Sequence, residues 1–304
     1  MNALLAQESL VNVASICARI GVPYSEAHIT YVATGSTGVV YLLTVSDHAE
    51  AALKLPAYSS RPKEEHSLLE RTLVDESTVL LDYSCEAIPA LLRRVEGQPW
   101  VLREYLDGLT LQALLASSSP SAVMRKRLCL ALFCLGRQLF RAFHESSRQP
   151  LILRDIKPTN VIVARDMSVM KFFDVGSARP EGVAVARVPR TDRIGSGRWL
   201  YMAPEHLLEM TDAPDRKADY FSLAAMAYAV LTGVPPYTNS ESNPAKALTR
   251  YLHEYAALHG RVQTMFHDLG LLPTLADFVV RGLHPEAHRR PNMLPFGNSS
   301  RPMS

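Results

Sequence analysis

The sequence predicts an α+β protein, on a group of short strands early in the chain and long apolar stretches later. Tyr31 to Tyr41 reads as two short strands around a glycine-bearing turn, and Ala51-Ala52-Leu53-Lys54-Leu55 follows as a third apolar strand. Farther on, the most apolar stretches are Leu128 to Leu135 and Phe221 to Leu231, which are too short to span a bilayer and read as buried helices. A chain of 304 residues with 47% hydrophobic content has the length for one domain of two parts and leaves no room for a further sizeable one.

The elements follow in order. Residues 3–20 carry the spacing of an amphipathic helix ending near Gly21, a segment that packs on the strand-rich part or meets a partner. Gln7 and Glu8 interrupt its apolar residues and no basic stretch precedes it, so no secretory signal is expected. Glu64 and Glu65 precede Leu68 and Leu69 in a segment of helical spacing, with Glu70 a turn later. Ser117-Ser118-Ser119-Pro120-Ser121 has the composition of a loop, and the tail from Pro295, rich in Ser, Pro and Asn, that of a disordered end. No internal repeat is present. The net charge of +2 argues against an obligate nucleic-acid surface, and no membrane segment emerges. Cys17, Cys85, Cys129 and Cys134 are scattered and lack metal-ligand spacing, which favours reduced thiols and a cytoplasmic setting.

The chemistry is concentrated in three ordered motifs. Arg154-Asp155-Ile156-Lys157-Pro158-Thr159-Asn160 is followed by Asp174-Val175-Gly176 and then by Ala203-Pro204-Glu205. This set resembles the protein kinase superfamily, patchily before residue 102 and strongly from 154 to 237. Moving a γ-phosphoryl group asks mainly for positioning and for cations around the phosphate oxygens. The resemblance implies a bilobal fold: a small antiparallel-sheet lobe with one short helix (28–102), a hinge (103–109) and a larger, mainly helical lobe (110–292). ATP with Mg²⁺ would lie between the lobes. Residues 1–27 would form a helical extension and 293–304 a disordered tail.

Roles carry over residue by residue. Asp155 would orient the attacking hydroxyl, Lys157 would assist it, Asn160 and Asp174 would hold Mg²⁺, and Lys54 would reach the α and β phosphates. Gly35-Ser36-Thr37-Gly38 with Val40 resembles the glycine-rich loop, with Ala33 where its first glycine normally sits. Ala52 and the backbone of Glu104 and Tyr105, in the hinge-like run Val101 to Gly108, would hold the adenine. Arg103 then falls at the gatekeeper position, where it either makes an ion pair or marks a register shifted by one. The acidic partner of Lys54 is assigned to Glu65, because Leu69 then falls on the same helical face; Glu64 is the second choice, and either spacing implies a truncated helix. Lys157 matches the serine/threonine-specific pattern, so protein substrates with Ser or Thr acceptors are expected. Glu205 should pair with Arg290, Arg289 being the alternative. Asp219 matches an aspartate that braces the catalytic loop, although a helix N-cap would suit the same position.

Three departures stand beside these matches. Leu153 replaces a histidine, Val175 replaces a phenylalanine, and the Gly-Thr pair expected before Tyr201 is out of register, with Gly195-Ser196 lying two residues earlier than expected. Thr191 and Ser196, amid Arg187, Arg190, Arg193 and Arg198, are the hydroxyls available for autophosphorylation held by Arg154; a loop that binds acidic substrates and a solvated, disordered loop are the other two readings of these arginines. A catalytically silent pseudokinase scaffold is the non-enzyme alternative. A small-molecule phosphotransferase of the aminoglycoside-kinase kind is the other, disfavoured by Lys157 and the Ala-Pro-Glu segment.

Overall fold

The computed structural model describes residues 27–35, 37–45, 49–58, 61–117, 120–183, 198–208, 215–237 and 244–292, together with Ser15, Cys17, Ala18 and Leu294. Most of the amphipathic segment 3–20, Ser36, both proposed phosphoacceptors Thr191 and Ser196, and the tail from Pro295 lie outside the described residues. The chain divides into two units, Met1–Asp107 and Gly108–Ser304. A sheet with one helix comes first and a mainly helical part follows, so the α+β class is the one expected, while further short strands fall among the helices of the second part.

The first unit is an antiparallel sheet of β1 (Ala27–Thr34), β2 (Gly38–Val45), β3 (Ala49–Pro56), β4 (Leu91–Arg93) and β5 (Val101–Glu104), in the order β1-β2-β3-β5-β4. Register decides what each face carries. Val40 lies opposite Lys54, Tyr41 opposite Leu53, and Ala52 opposite Arg103. Because side chains alternate along a strand and opposed residues share a face, Val40, Ala52, Lys54 and Arg103 stand on one side of the sheet. On the other side Val39, Tyr41, Leu43, Leu53, Leu55 and Leu102 form the core, joined by Trp100 and Cys17. Burial raises the Cys17 thiol above its ordinary range.

One helix, α1 (His66–Asp82), packs on β3 and β5. At 17 residues it is not the short helix the sequence suggested. Nothing between His66 and Asp82 is Gly or Pro, so no local breaker stops it before Tyr83. Its buried stripe runs Leu69, Leu73, Glu76 and Leu80, steps of four, three and four that keep to one side of the helix.

In the second unit β6 (Gly108–Thr110) pairs with β8 (Val161–Ala164), which pairs with β9 (Met170–Phe172). A two-stranded ladder joins β7 (Leu151–Ile152) to β10 (Arg179–Pro180). The helices are α2 (Leu111–Ser117), α3 (Ala122–Phe143), α4 (Pro204–Leu207), α5 (Arg216–Thr232), α6 (Pro244–Asp268) and α7 (Pro273–Gly282). Helix α3 starts where the Ser121 hydroxyl accepts the Met124 N–H at 3.2 Å. Helix α5 is buried on all sides from Ala218 to Leu231, as expected of a helix with apolar residues around its whole circumference, and it packs between α3 and α7. Gly136 of α3 lies against Leu223, where any Cβ would overlap the leucine side chain, so glycine sets how closely α3 and α5 approach. The Asp215 side chain caps α5 by accepting the Lys217 N–H at 2.8 Å, and Gly233 ends it at φ 82°. Capping therefore belongs to Asp215, which leaves the Asp219 carboxylate for another task. Among the described residues no helix is long and apolar enough to cross a membrane.

Candidate active site

In the first unit the site is built around one buried carboxylate. Lys54 Nζ donates to Glu76 Oε2 at 2.6 Å, and Arg103 Nη1 donates to Glu76 Oε1 at 3.1 Å. All three are nearly sealed from solvent, with relative exposures of 5% for Lys54, 4% for Arg103 and 0% for Glu76. The choice of Glu65 as the partner of Lys54 is therefore corrected. Glu65 ends a 3-10 turn (Lys63–Glu65) ahead of α1, and its carboxylate meets Arg61 at 3.3 Å on a side chain that is 42% exposed. Glu64 shares that turn and is exposed. The third turn of α1 puts Glu76 beside β3 and β5, where the cations are.

The rest of the glycine-rich segment and of the hinge-like run is placed as follows. Gly35 N–H donates to Gly38 O at 2.8 Å, closing the turn between β1 and β2, and Thr37 is half-buried within it. A Cβ on Gly38 would lie 2.8 Å from Leu55 O and 2.9 Å from Lys54 Cγ, so only glycine fits beside the lysine stem without displacement. Ala33 follows a register shift in β1, a bulge at the position where the motif has its first glycine. Glu104 exchanges two bonds with Ala90: its N–H donates to Ala90 O at 2.8 Å, and its carboxylate accepts the Ala90 N–H at 3.0 Å. Tyr105 follows directly, half-buried. Arg103 is in register opposite Ala52 and makes an ion pair, which is the first of the two readings left open for it.

In the second unit the loop from Leu153 to Asn160 is folded around Asp155. Lys157 Nζ donates to Asp155 Oδ2 at 3.0 Å, and Asn160 Nδ2 donates both to the same oxygen at 3.1 Å and to the Asp155 backbone carbonyl at 2.9 Å. A 3-10 turn over Pro158–Asn160 makes this possible by folding position 160 back onto position 155.

Asp219 holds the loop from below. Its Oδ2 accepts the Leu153 N–H at 2.7 Å and its Oδ1 the Arg154 N–H at 2.9 Å. His144 Nε2 lies 2.8 Å from Oδ2; since a carboxylate only accepts, the imidazole is the donor. Arg154 takes φ 66°, a left-handed conformation that disfavours a Cβ and persists because the acceptor on Asp219 fixes its N–H. The departures Leu153 and Val175 are both completely buried, so each keeps an apolar place in the interior.

The β8–β9 hairpin brings Asn160 and Asp174 together. Val161 pairs with Phe172, and just beyond the ladder Phe173 N–H donates to Asn160 O at 3.0 Å, so Asp174 emerges beside Asn160. Gly176 N–H approaches Asp174 Oδ1 at 3.4 Å. With its Nδ2 committed to Asp155, the Asn160 amide has its oxygen as the end that can ligate a hard cation, and Asp174 adds a carboxylate. This oxygen donor set, small and incomplete without phosphate, suits Mg²⁺ carried in on a nucleotide.

A family model for the protein kinase domain matches residues 28–298. The chain belongs to the protein kinase family. Among curated relatives, serine/threonine-protein kinase PknB of Mycobacterium tuberculosis is 30% identical over 156 residues, 51% of this chain and 23% of its own length. Serine/threonine-protein kinase pak-1 of Caenorhabditis elegans is 28% identical over 220 residues, 71% of this chain and 35% of its own. Serine/threonine-protein kinase SMU1 of Mycosarcoma maydis is 26% identical over 261 residues, 85% of this chain and 31% of its own. The chain thus spans between 23% and 35% of the length of these relatives.

The Ala-Pro-Glu segment of this family member is anchored at its glutamate. Arg290 Nη1 and Nη2 each donate to one oxygen of Glu205 at 2.7 Å, and the guanidinium lies 5.0 Å above the Phe221 ring. Arg289, the alternative, instead meets Glu286 at 3.0 Å on the surface. Ser222 Oγ donates to Tyr201 O at 2.8 Å and Tyr237 hydroxyl to Met202 O at 3.1 Å, tying the residues before Pro204 to α5 and to the chain beyond it. Burial raises the Tyr201 phenol to about 12, so it stays protonated. Burial also lowers the His206 imidazole below its ordinary range, against the pull of the Glu205 carboxylate. Earlier in the chain Glu181 binds Arg216, at the start of α5, through Nε at 2.8 Å and through Nη2; that guanidinium holds the Glu181 carboxyl below its usual range.

Sequence reasoning missed Glu76 and His144. Glu76 had a readable signal, since it interrupts the apolar stripe Leu69, Leu73, Leu80 where a solvated side chain does not belong. Glu76→Gln leaves two buried cations facing a neutral amide and is expected to lower stability by about 3 kcal/mol, against under about 0.5 kcal/mol for Glu65→Gln. Thermal unfolding of the two variants side by side checks the reassignment; equal losses would return the role to the exposed turn.

Proposed function

We propose that this kinase transfers the γ-phosphoryl group of Mg-ATP to serine or threonine hydroxyls of proteins. The observation that carries the reading is the Asp155 carboxylate, held on Oδ2 by Lys157 and Asn160 and set on a loop braced by Asp219. Bound Mg-ATP supplies the transferable phosphoryl group and the divalent charge that neutralises its oxygens. Asp155 orients the acceptor hydroxyl and takes its proton as the new P–O bond forms and the bond to the ADP oxygen breaks. Lys157, already donating to Asp155, has further N–H bonds for phosphoryl oxygens. Asn160 and Asp174 hold the metal, and Lys54, kept in place by Glu76, engages the α and β phosphates. Ser/Thr selectivity is supported by Lys157 and by relatives whose names describe serine/threonine-protein kinases.

The test uses radiolabelled ATP with a generic basic protein and an aminoglycoside as acceptors, for wild type and Asp174→Ala. Label is expected in the protein and in the enzyme itself at Thr191 or Ser196, on phosphoserine or phosphothreonine. Asp174→Ala is expected to abolish it and to weaken Mg-ATP binding by more than about tenfold. Label in the aminoglycoside would select a small-molecule phosphotransferase, and label in nothing would select the scaffold.

A further inference from the structure

We propose that Arg103 is a positioning residue for nucleotide binding, acting through Glu76 to set how firmly that carboxylate holds Lys54. The inference rests on the reading that Lys54 engages the triphosphate. Three elements meet at one carboxylate: β3 through Lys54 on Oε2, β5 through Arg103 on Oε1, and α1 through Glu76 itself. Register makes the meeting unavoidable. Arg103 lies opposite Ala52, two residues from Lys54, so both cations project from the same face of the sheet.

Sheet stability does not account for a guanidinium at this position. Burying a charge costs several kcal/mol, and buried ion networks replaced by apolar side chains of similar volume are often equally stable or more so. A leucine or methionine at position 103 would leave Glu76 and Lys54 as a buried pair with no net charge. What an apolar residue cannot do is occupy Oε1. With Arg103 present, the plane of the carboxylate is fixed by a donor on each oxygen, and its attraction is divided between two cations. Without Arg103 the whole attraction falls on Lys54, the ammonium can bridge both oxygens, and it becomes a poorer partner for phosphate. Arg103 thereby keeps Lys54 anchored in direction but available in charge.

The test is titration of the full chain with Mg-ADP, which carries the α and β phosphates, followed by steady-state kinetics. Arg103→Met is expected to raise the Mg-ADP dissociation constant and the KM for ATP roughly tenfold, the effect of one charged hydrogen bond, while kcat changes less than about twofold. In the Glu76→Gln background the same substitution is expected to add less than about twofold, because its path runs through Glu76. Unchanged Mg-ADP affinity in Arg103→Met, or an undiminished effect in the Glu76→Gln background, would overturn the proposal. If Arg103→Met fails to fold, Arg103→Lys and Arg103→Gln carry the comparison: the charged variant must bind Mg-ADP more tightly than the neutral one, and equal affinities overturn it. Wild type that binds Mg-ADP but labels no protein would sink the transfer reading alone, since the binding comparison needs no turnover.

Discussion

Asp155→Ala is expected to lower kcat by about a thousandfold, within the range measured for loss of a positioned general base, with Mg-ATP affinity within about twofold of wild type. The two halves of that expectation come from different bonds. Asp155 Oδ2 is the acceptor for Lys157 and Asn160, and its removal takes away the group that would receive the hydroxyl proton. Asn160, however, also donates to the Asp155 backbone carbonyl at 2.9 Å, and that bond survives truncation. The amide oxygen keeps its aim and Asp174 is untouched, so the two proposed metal ligands persist. Asp155→Asn separates charge from shape, because its amide cannot take a proton and turns a donor or a poorer acceptor toward the Lys157 ammonium; turnover should fall nearly as far as in Ala. Single-turnover kinetics with separately measured Mg-ATP binding decide the matter. A loss of nucleotide affinity matching the loss of kcat would move Asp155 from the acceptor side of the reaction to the metal side.

What the sequence made legible, and what it concealed, follows from how local each interaction is. The run from Arg154 to Asn160 closes on itself within five residues, so its spacing already carries the geometry that Lys157 and Asn160 adopt around Asp155. The Glu205–Arg290 pair spans 85 residues, yet it was recognisable because motif order fixes both ends. Glu76 was harder. Its pairing with Lys54 depends on the length of α1, and a glutamate four residues from Leu69 satisfied the same periodic rule as the correct one. The deciding quantity was burial: a carboxylate inside an apolar stripe has to find a cation, whereas Glu65 in an exposed turn does not. His144 gave no signal of its own, because a single histidine at a helix end acquires meaning only when folding sets it 2.8 Å from Asp219. The Arg103 ion pair was an open choice for the same reason, being decided by strand register rather than by composition.

Asp219→Ala is expected to be the most destabilising of these substitutions, at about 4 kcal/mol, because two backbone N–H groups and an imidazole lose one shared, fully buried acceptor and each orphaned donor costs about 1–3 kcal/mol. For a unit of this size that corresponds to a fall in Tm of roughly 10 °C. The brace has no substitute in the side chain at position 153. Leucine offers no hydrogen bond there, so Asp219 holds this end of the loop through the main-chain N–H groups of residues 153 and 154, and the left-handed conformation of Arg154 is supported by that bond. Once released, Arg154 relaxes to negative φ and swings the next residue, Asp155, out of its place. Activity measured well below the new Tm is therefore expected to fall by at least about tenfold, the consequence of a displacement near 1 Å at a catalytic group. Asp219→Asn retains one accepting oxygen and should lie between Ala and wild type in both Tm and kcat. A variant that loses Tm but keeps full kcat at low temperature would show that Asp219 supports the fold without setting the position of Asp155.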